Sequence, residues 1–139
     1  MNILLDTNVV SEWVKPRPDR GVVAWLAELD EDRVFLSVMT LGELRQGVEL
    51  LAAGPRRTLL DGWVQRDLPE RFAGRVLPID AETADLWGRL VARRRRAGRP
   101  IGVMDALLAA TASAHDLAVA TRNTSDFQGC GVRLVNPWT

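Results

Sequence analysis

Short apolar runs alternate with longer helical stretches from one end of this chain to the other, and that alternation limits the fold more than any other feature. Residues 3–5, 34–37, 76–79, 117–121 and 132–135 are the apolar runs, of the length and character of strands buried on both faces. Between them lie stretches with helical spacing. Residues 7–14 read as a helix stopped by Lys15-Pro16-Arg17-Pro18, because proline disfavours helix for its predecessor. Val22, Val23, Leu26 and Leu29 form a stripe around Trp25. Residues 38–52 place Leu41, Leu44, Val48 and Leu51 on one face before Gly54-Pro55 breaks the pattern. Residues 56–73 are helical with an irregularity at Pro69, and 81–97 and 103–115 are longer helices. No repeat, linker or low-complexity segment interrupts the series. Strand–helix alternation of this kind predicts an α/β fold, a three-layer sandwich with a mostly parallel central sheet flanked by helices. With 139 residues the chain suits one core and is short for two, so residues 1–139 are expected to form a single domain.

Four carboxylates stand where apolar runs meet turns or helix starts: Asp6 after 3–5, Glu43 in the helix following 34–37, Asp105 opening an apolar helix, and Asp126 after 117–120. In an open parallel sheet those strand ends share one edge, where ligands bind. Acids gathered there repel one another unless a divalent cation or protons neutralise them. Each also has a local explanation. Asp6 or Thr7 suits a helix cap. Thr40 to Glu43 matches a capping box, although a start near Ser37 would put Glu43 inside the helix. Asp105 falls in a first turn, and Ser125-Asp126 fits a turn. Chance capping does not explain why all four point to one place. Asp105 is the sharpest case, because Met104 and Ala106 to Ala110 make its helix apolar on nearly every face, as expected of a buried helix. A buried carboxylate there needs a cation or several hydrogen bonds. The pattern predicts a Mg²⁺ or Mn²⁺ site.

The remaining composition narrows the chemistry. Cys130 and His115 are the only residues of their types, which leaves too few ligands for a structural zinc site and no internal disulfide. No nucleophile elbow, Walker loop or dinucleotide fingerprint occurs. Carboxylates, arginines and hydroxyls remain, and oxygen ligands suit Mg²⁺ or Mn²⁺. No apolar run is long enough to cross a bilayer and no signal-like segment opens the chain, so a cytoplasmic protein without membrane contact is expected. Formal net charge is +0, yet Arg89, Arg93, Arg94, Arg95, Arg96 and Arg99 crowd together. Arg89, Arg93 and Arg96 share one helical stripe able to meet phosphates, although basic residues in a last turn are commonly a solvated complement to the helix dipole. The five tryptophans are core and interface candidates, with Trp13 and Trp25 placed near the first helices.

Four segments carry a family resemblance. Ile3-Leu4-Leu5-Asp6-Thr7-Asn8-Val9-Val10-Ser11-Glu12 resembles the opening of PIN-domain nucleases, and Val38 to Gly47, with Glu43, resembles their second motif. Ile101 to Ala110, with Asp105, and Val119 to Phe127, with Asp126, resemble the third and fourth. The closing Val135-Asn136-Pro137-Trp138 is similar to the VapC and FitB-like branch, toxins of bacterial toxin–antitoxin pairs. All four acidic positions are filled. The resemblance implies a PIN-like sheet and a Mg²⁺- or Mn²⁺-dependent endoribonuclease of the bacterial cytoplasm. It also implies a homodimer held inactive by a VapB-like antitoxin, with tRNA or another structured RNA as substrate. By the same resemblance Asp6 and Asp105 are the principal metal ligands, and Glu43 and Asp126 complete the cluster directly or through water. Thr7, Asn8 and Thr121 orient it, and Arg122 meets a phosphate.

Such a site would hydrolyse a phosphodiester by in-line attack of water, leaving a 5′-phosphate and a 3′-hydroxyl, with Glu43 or Asp126 accepting the proton. A phosphatase reading fares poorly, since Asp6-Thr7-Asn8 lacks a second acid two residues on and Lys15 is the only lysine. A non-catalytic acidic cleft that captures a partner protein's arginine is the alternative from another class.

Overall fold

The computed structural model describes residues 1–138; Thr139, the last of the 1–139 span expected as one domain, lies outside the described residues. β1 (Ile3–Leu5), β2 (Val34–Ser37), β3 (Val76–Leu77), β4 (Ala118–Ala120) and β5 (Leu134–Val135) form one sheet in the order β3-β2-β1-β4-β5. Every pairing is parallel, with Ile3 opposite Val34 on one side and Ala118 on the other. The helices are α1 (Thr7–Val10), α2 (Arg20–Glu28), α3 (Val38–Glu49), α4 (Pro55–Gly62), α5 (Leu68–Arg71), α6 (Ala81–Arg96), α7 (Val103–His115) and α8 (Thr124–Phe127). Short 3₁₀ turns at Ser11–Val14 and Glu31–Arg33 extend α1 and lead into β2.

Three junctions are tight because a polar residue caps the helix it enters. Asp6 accepts the Thr7 N–H, Ser37 the Met39 N–H and Asp80 the Thr83 N–H. Each cap satisfies a first-turn N–H that lacks a partner within the helix. The cap at Ser37 puts Glu43 inside α3 rather than at its start. The pleat then divides the core in two. Ile3, Leu5, Val34 and Leu36 face one layer, with Val9, Val10, Val22, Leu26, Leu68 and Phe72. Leu4 and Val119 face the other, with Leu90, Ala106, Leu108, Ala109, Ala112 and Phe127. Trp13, Trp25, Trp63 and Trp138 pack against the first core and Trp87 against the second.

Several local expectations shift. The irregularity expected at Pro69 falls upstream, where Trp63–Asp67 is a π turn closed by the Leu68 N–H on the Trp63 carbonyl. Pro69 lacks an N–H and its ring crowds the carbonyl four residues back, so widening that turn relieves both. β3 stops at Leu77 because Pro78 cannot donate to a ladder. Ser125-Asp126, for which a turn was the local alternative, lies in the short helix α8. Among the described residues, no helix is long and apolar enough to cross a membrane.

Candidate active site

The C-terminal ends of β1, β2 and β4 are neighbours in this topology, and they bring the acids to one edge of the sheet. Asp6 directly follows β1, and its backbone N–H extends the β1–β4 ladder by donating to the Ala120 carbonyl at 2.9 Å. Glu43 lies one turn into α3 after β2. Asp126 lies in α8 just beyond β4. Asp105 comes from the first turn of α7, which packs against both β1 and β4.

Asp6 is the buried carboxylate of the four, at 7 % exposure. Its Oδ1 accepts the Thr7 N–H at 2.7 Å, and its Oδ2 accepts the Thr121 hydroxyl at 2.8 Å and the Asn8 amide at 3.4 Å. Thr121 is itself fully buried and its Oγ1 accepts the Asn123 N–H at 3.0 Å. The Thr7 hydroxyl donates to Glu43 Oε1 at 2.8 Å, so α1 fixes a carboxylate on β1 and another on α3 through adjacent residues. The Asn8 Oδ1 accepts the Arg122 N–H at 3.3 Å, tying α1 to the loop after β4. Thr7, Asn8 and Thr121 therefore all bear on the acids, by contacts that the sequence could suggest only through motif spacing.

Asp105 corrects an expectation. It is half-buried rather than buried, because the burial of α7 begins at Ala106 while Gly102 and Val103 remain exposed at its start. Gly102 provides no side-chain cap, and no hydrogen-bond donor among the described residues reaches the Asp105 carboxylate. Burial pushes its carboxyl above the ordinary range, and the charges of Asp6, Asp126 and Glu43 push it further. Burial also raises Asp6, by more than its Thr121 and Thr7 hydrogen bonds lower it, with Asp126 adding to the rise. The four acids thus feel one another across the cleft.

An all-oxygen, net-negative cluster in which no donor among the described residues reaches the carboxylates of Asp105 and Asp126 suits a hard divalent cation. No three His, Cys, Asp or Glu side chains among the described residues close into a cage for an ion. Mg²⁺ does not need one, since it keeps several waters and takes one or two carboxylates. Asp6 and Asp105 fit that requirement.

The basic candidates separate. Arg122 sits at the same edge through its backbone bond to Asn8, with its guanidinium over the Trp138 ring at 5.3 Å. Arg89, Arg93 and Arg96 line a groove on α6, and no hydrogen bond or ion pair links them to the four acids among the described residues. Arg94 is structural, donating to the Arg99 and Gln128 carbonyls and to Cys130 Sγ. Burial pushes the Cys130 thiol up, against the opposing pull of Arg94, so it is a poor nucleophile.

Glu12 appeared in the sequence only as the end of the first motif. It is 2 % exposed, accepts the Asp19 N–H at 2.8 Å and forms an ion pair with Lys15. Its spacing of three from the only lysine was the available signal. Next to it, a largely apolar groove of about 350 Å³ runs between α1, α3 and α4 and opens onto Thr7 and Glu43.

The PIN domain family model matches residues 3–128. The chain is 42 % identical to a protein named VapC ribonuclease Y4jK from Sinorhizobium fredii, covering 98 % of this chain and 97 % of that one. It is likewise 42 % identical to toxin FitB from Neisseria gonorrhoeae, over 98 % of each. Among solved structures, FitAcB from Neisseria gonorrhoeae superposes with a TM-score of 0.93 at 42 % identity, covering 98 % of both chains. A toxin–antitoxin complex from Klebsiella pneumoniae superposes at 0.71 with 26 % identity over 98 % of both.

Proposed function

Because this chain belongs to the PIN-domain family, in its VapC and FitB-like branch, we propose that it is a metal-dependent endoribonuclease toxin of a VapBC-type pair. The observation that carries this reading is the cluster at the sheet edge, where Asp6, Glu43, Asp105 and Asp126 interact electrostatically and no donor among the described residues reaches the Asp105 carboxylate. Asp6 and Asp105 would hold Mg²⁺ or Mn²⁺, with Glu43 and Asp126 contributing through water. A bound cation of this kind offsets phosphate charge and makes water a better nucleophile at neutral pH.

The chain's own groups have distinct tasks. The Thr121 hydroxyl and Thr7 N–H hold the Asp6 carboxylate in one orientation, and Asn8 braces both Asp6 and the loop after β4. The Thr7 hydroxyl fixes Glu43, leaving Glu43 Oε2 or the exposed Asp126 to accept the proton of the attacking water. Arg122 carries charge to the same edge, where a phosphate would meet it. Water adds to phosphorus, the 3′-oxygen leaves with a proton, and the products are a 5′-phosphate and a 3′-hydroxyl. A structured RNA such as tRNA is the expected substrate, because exposed loops present bases and backbone to a cleft.

The partner is a VapB-like antitoxin, as in the VapBC and FitAB complexes that share this fold. The groove lined by Leu44, Val48, Leu51 and Trp63 gives an apolar segment a seat, and its opening at Glu43 lets a following arginine reach the acids. That same geometry supports the second reading, a cleft that only captures a partner's arginine. A cleavage assay on total RNA with purified, partner-free protein separates the two, run with Mg²⁺, Mn²⁺ or EDTA and with Asp6→Asn. Metal-dependent products that disappear in folded Asp6→Asn are expected. Full activity in that variant would overturn the assignment of Asp6, and no cleavage by folded wild type under either metal would favour the binding module.

A further inference from the structure

Asn136-Pro137-Trp138 contributes no group to the acidic cluster, yet the backbone sets it beside the same edge. The Thr121 N–H donates to the Val135 carbonyl at 3.0 Å, which carries the β4–β5 ladder one residue past β4. Arg122 and residues 136–138 therefore leave the sheet side by side. Both exits are pinned. The Arg122 N–H donates to Asn8 Oδ1 at 3.3 Å. The Trp138 N–H donates to Asn136 Oδ1 at 3.0 Å, an Asx-type turn with the buried Pro137 at its centre, and the indole packs against the first core. The Arg122 guanidinium lies over that ring, 5.3 Å from its centroid, within range of the ring's attraction for a cation.

The free donors of Arg122 set it apart. Two other arginines lie over rings, Arg71 over Trp13 and Arg75 over Phe72. Both are already engaged, Arg71 with Glu31 Oε1 at 2.6 Å and Arg75 with backbone carbonyls, including that of Val34 at 2.6 Å. Arg122 is exposed, and among the described residues its guanidinium has no hydrogen bond or ion pair, although the acidic cluster shares its edge. An exposed ion pair and an exposed cation–ring contact are of similar strength, so the ring can hold the side chain away from the carboxylates. Contact with a ring consumes none of the guanidinium N–H groups, whereas closure on a carboxylate takes up a pair of them. The donors that remain match a phosphate. A strand whose scissile bond lies at the acids brings phosphates to this edge with every nucleotide.

We propose that Trp138 is a positioning residue for RNA: its ring holds the Arg122 guanidinium clear of the carboxylates and available to a phosphate of the bound strand. The proposal rests on the nuclease reading. It adds to that reading how the chain keeps a cation beside its acidic cluster without neutralising the cluster.

Steady-state cleavage of total RNA in Mg²⁺ by full-chain variants tests it, with the folding of each confirmed by a melting curve. Trp138→Leu is expected to raise KM about threefold with kcat kept, and Trp138→Phe, which retains a ring, to stay near wild type. Arg122→Gln is expected to raise KM about tenfold. Adding Trp138→Leu to Arg122→Gln is expected to change nothing further, since the ring then has no cation to hold. Anisotropy of a fluorescein-labelled RNA of mixed sequence in EDTA reads the salt dependence of binding, which is expected to flatten by about one phosphate contact in both Trp138→Leu and Arg122→Gln. An unchanged KM in Trp138→Leu, equal losses in Trp138→Leu and Trp138→Phe, or a Trp138→Leu effect undiminished by Arg122→Gln would each overturn the proposal. If Trp138→Leu does not fold, an unchanged KM in Arg122→Gln overturns it from the other side of the contact. Wild type that cleaves no RNA in Mg²⁺ or Mn²⁺ overturns the nuclease reading, and this proposal with it.

Discussion

Asp6 and Asp105 carry the same charge into the same cleft and are held in opposite ways. Asp6 has a hydrogen-bond donor on each oxygen, and Asp105 has none among the described residues. Folding raises both carboxyls above their unfolded values, chiefly by burial. The folded protein therefore binds protons more tightly at these positions than the unfolded chain. Their contribution to stability is fully present below the unfolded carboxylate range and is lost as pH rises through the folded values. Glu12 runs the other way. Burial raises it, but Lys15 and the Asp19 N–H outweigh burial and hold it low, so its contribution is lost as pH falls. Asp105→Asn isolates the first effect. In EDTA at neutral pH the variant is expected to melt higher than wild type and to lose less stability on going from acid to neutral pH, while cleaving no RNA. A lower melting point would mean that cleft repulsion is not what Asp105 contributes. Thr121→Val keeps the shape and removes the donor to buried Asp6, for an expected loss of about 1–3 kcal/mol. Urea unfolding measures that loss, and an unchanged midpoint would show that Asp6 does not depend on Thr121.

At the scale of elements, short segments are held by single polar anchors more than by propensity. The chain from Lys15 to Asp19 contains two prolines and no helix, yet it and the Val14 before it are pinned at three points. Lys15 and the Asp19 N–H meet Glu12, and Arg56 donates to the Val14 carbonyl at 2.7 Å. Lys15→Met would leave the Glu12 charge buried with one backbone donor. Because Lys15 is 46 % exposed, the cost is expected near the lower part of the ~1–3 kcal/mol range for an unsatisfied buried group. A midpoint shift in urea larger than that of Lys15→Arg would bear this out, and equal shifts would place the stability in the aliphatic stem. α4 and α3 are joined similarly, by Arg45 to Asp61 at 2.6 Å and Arg57 to Glu49 at 2.9 Å.

For the whole molecule, the parallel order β3-β2-β1-β4-β5 matters because the site is assembled from distant parts of the chain. Thr121 and Asp6 are 115 residues apart and share a hydrogen bond. A cation bound by Asp6 and Asp105 would link β1 to α7 and would stabilise only the folded chain. Adding Mg²⁺ is therefore expected to raise the melting temperature of wild type progressively, and to leave Asp6→Asn and Asp105→Asn unmoved. A wild-type melting curve indifferent to Mg²⁺ and Mn²⁺ would count against the metal reading whatever the RNA assay showed.

The sequence by itself determined the layers and the edge. Apolar runs too short for helices, separated by helical stripes, leave a buried parallel sheet as the economical solution; Asp6 and Asp126 follow two of those runs, while Glu43 and Asp105 stand within helices beside the same edge. The caps were partly legible for the same reason, since Asp6 and Ser37 stand where an apolar run ends. Only the tertiary structure decided which acid is buried. The apolar helix around Asp105 suggested burial, but first-turn residues of α7 lie at the cleft mouth, while Asp6 is enclosed between β1, β4 and α1. Helical periodicity reports which residues share a face; it does not report how far along the helix its neighbours reach. The groove beside Glu43 was hidden similarly, since it depends on α1 coming against α3 and α4. The π turn before Pro69 and the pairing of Glu12 with Lys15 and Asp19 are local by contrast, and the sequence offered Pro69 and the three-residue spacing to Lys15 as their signals.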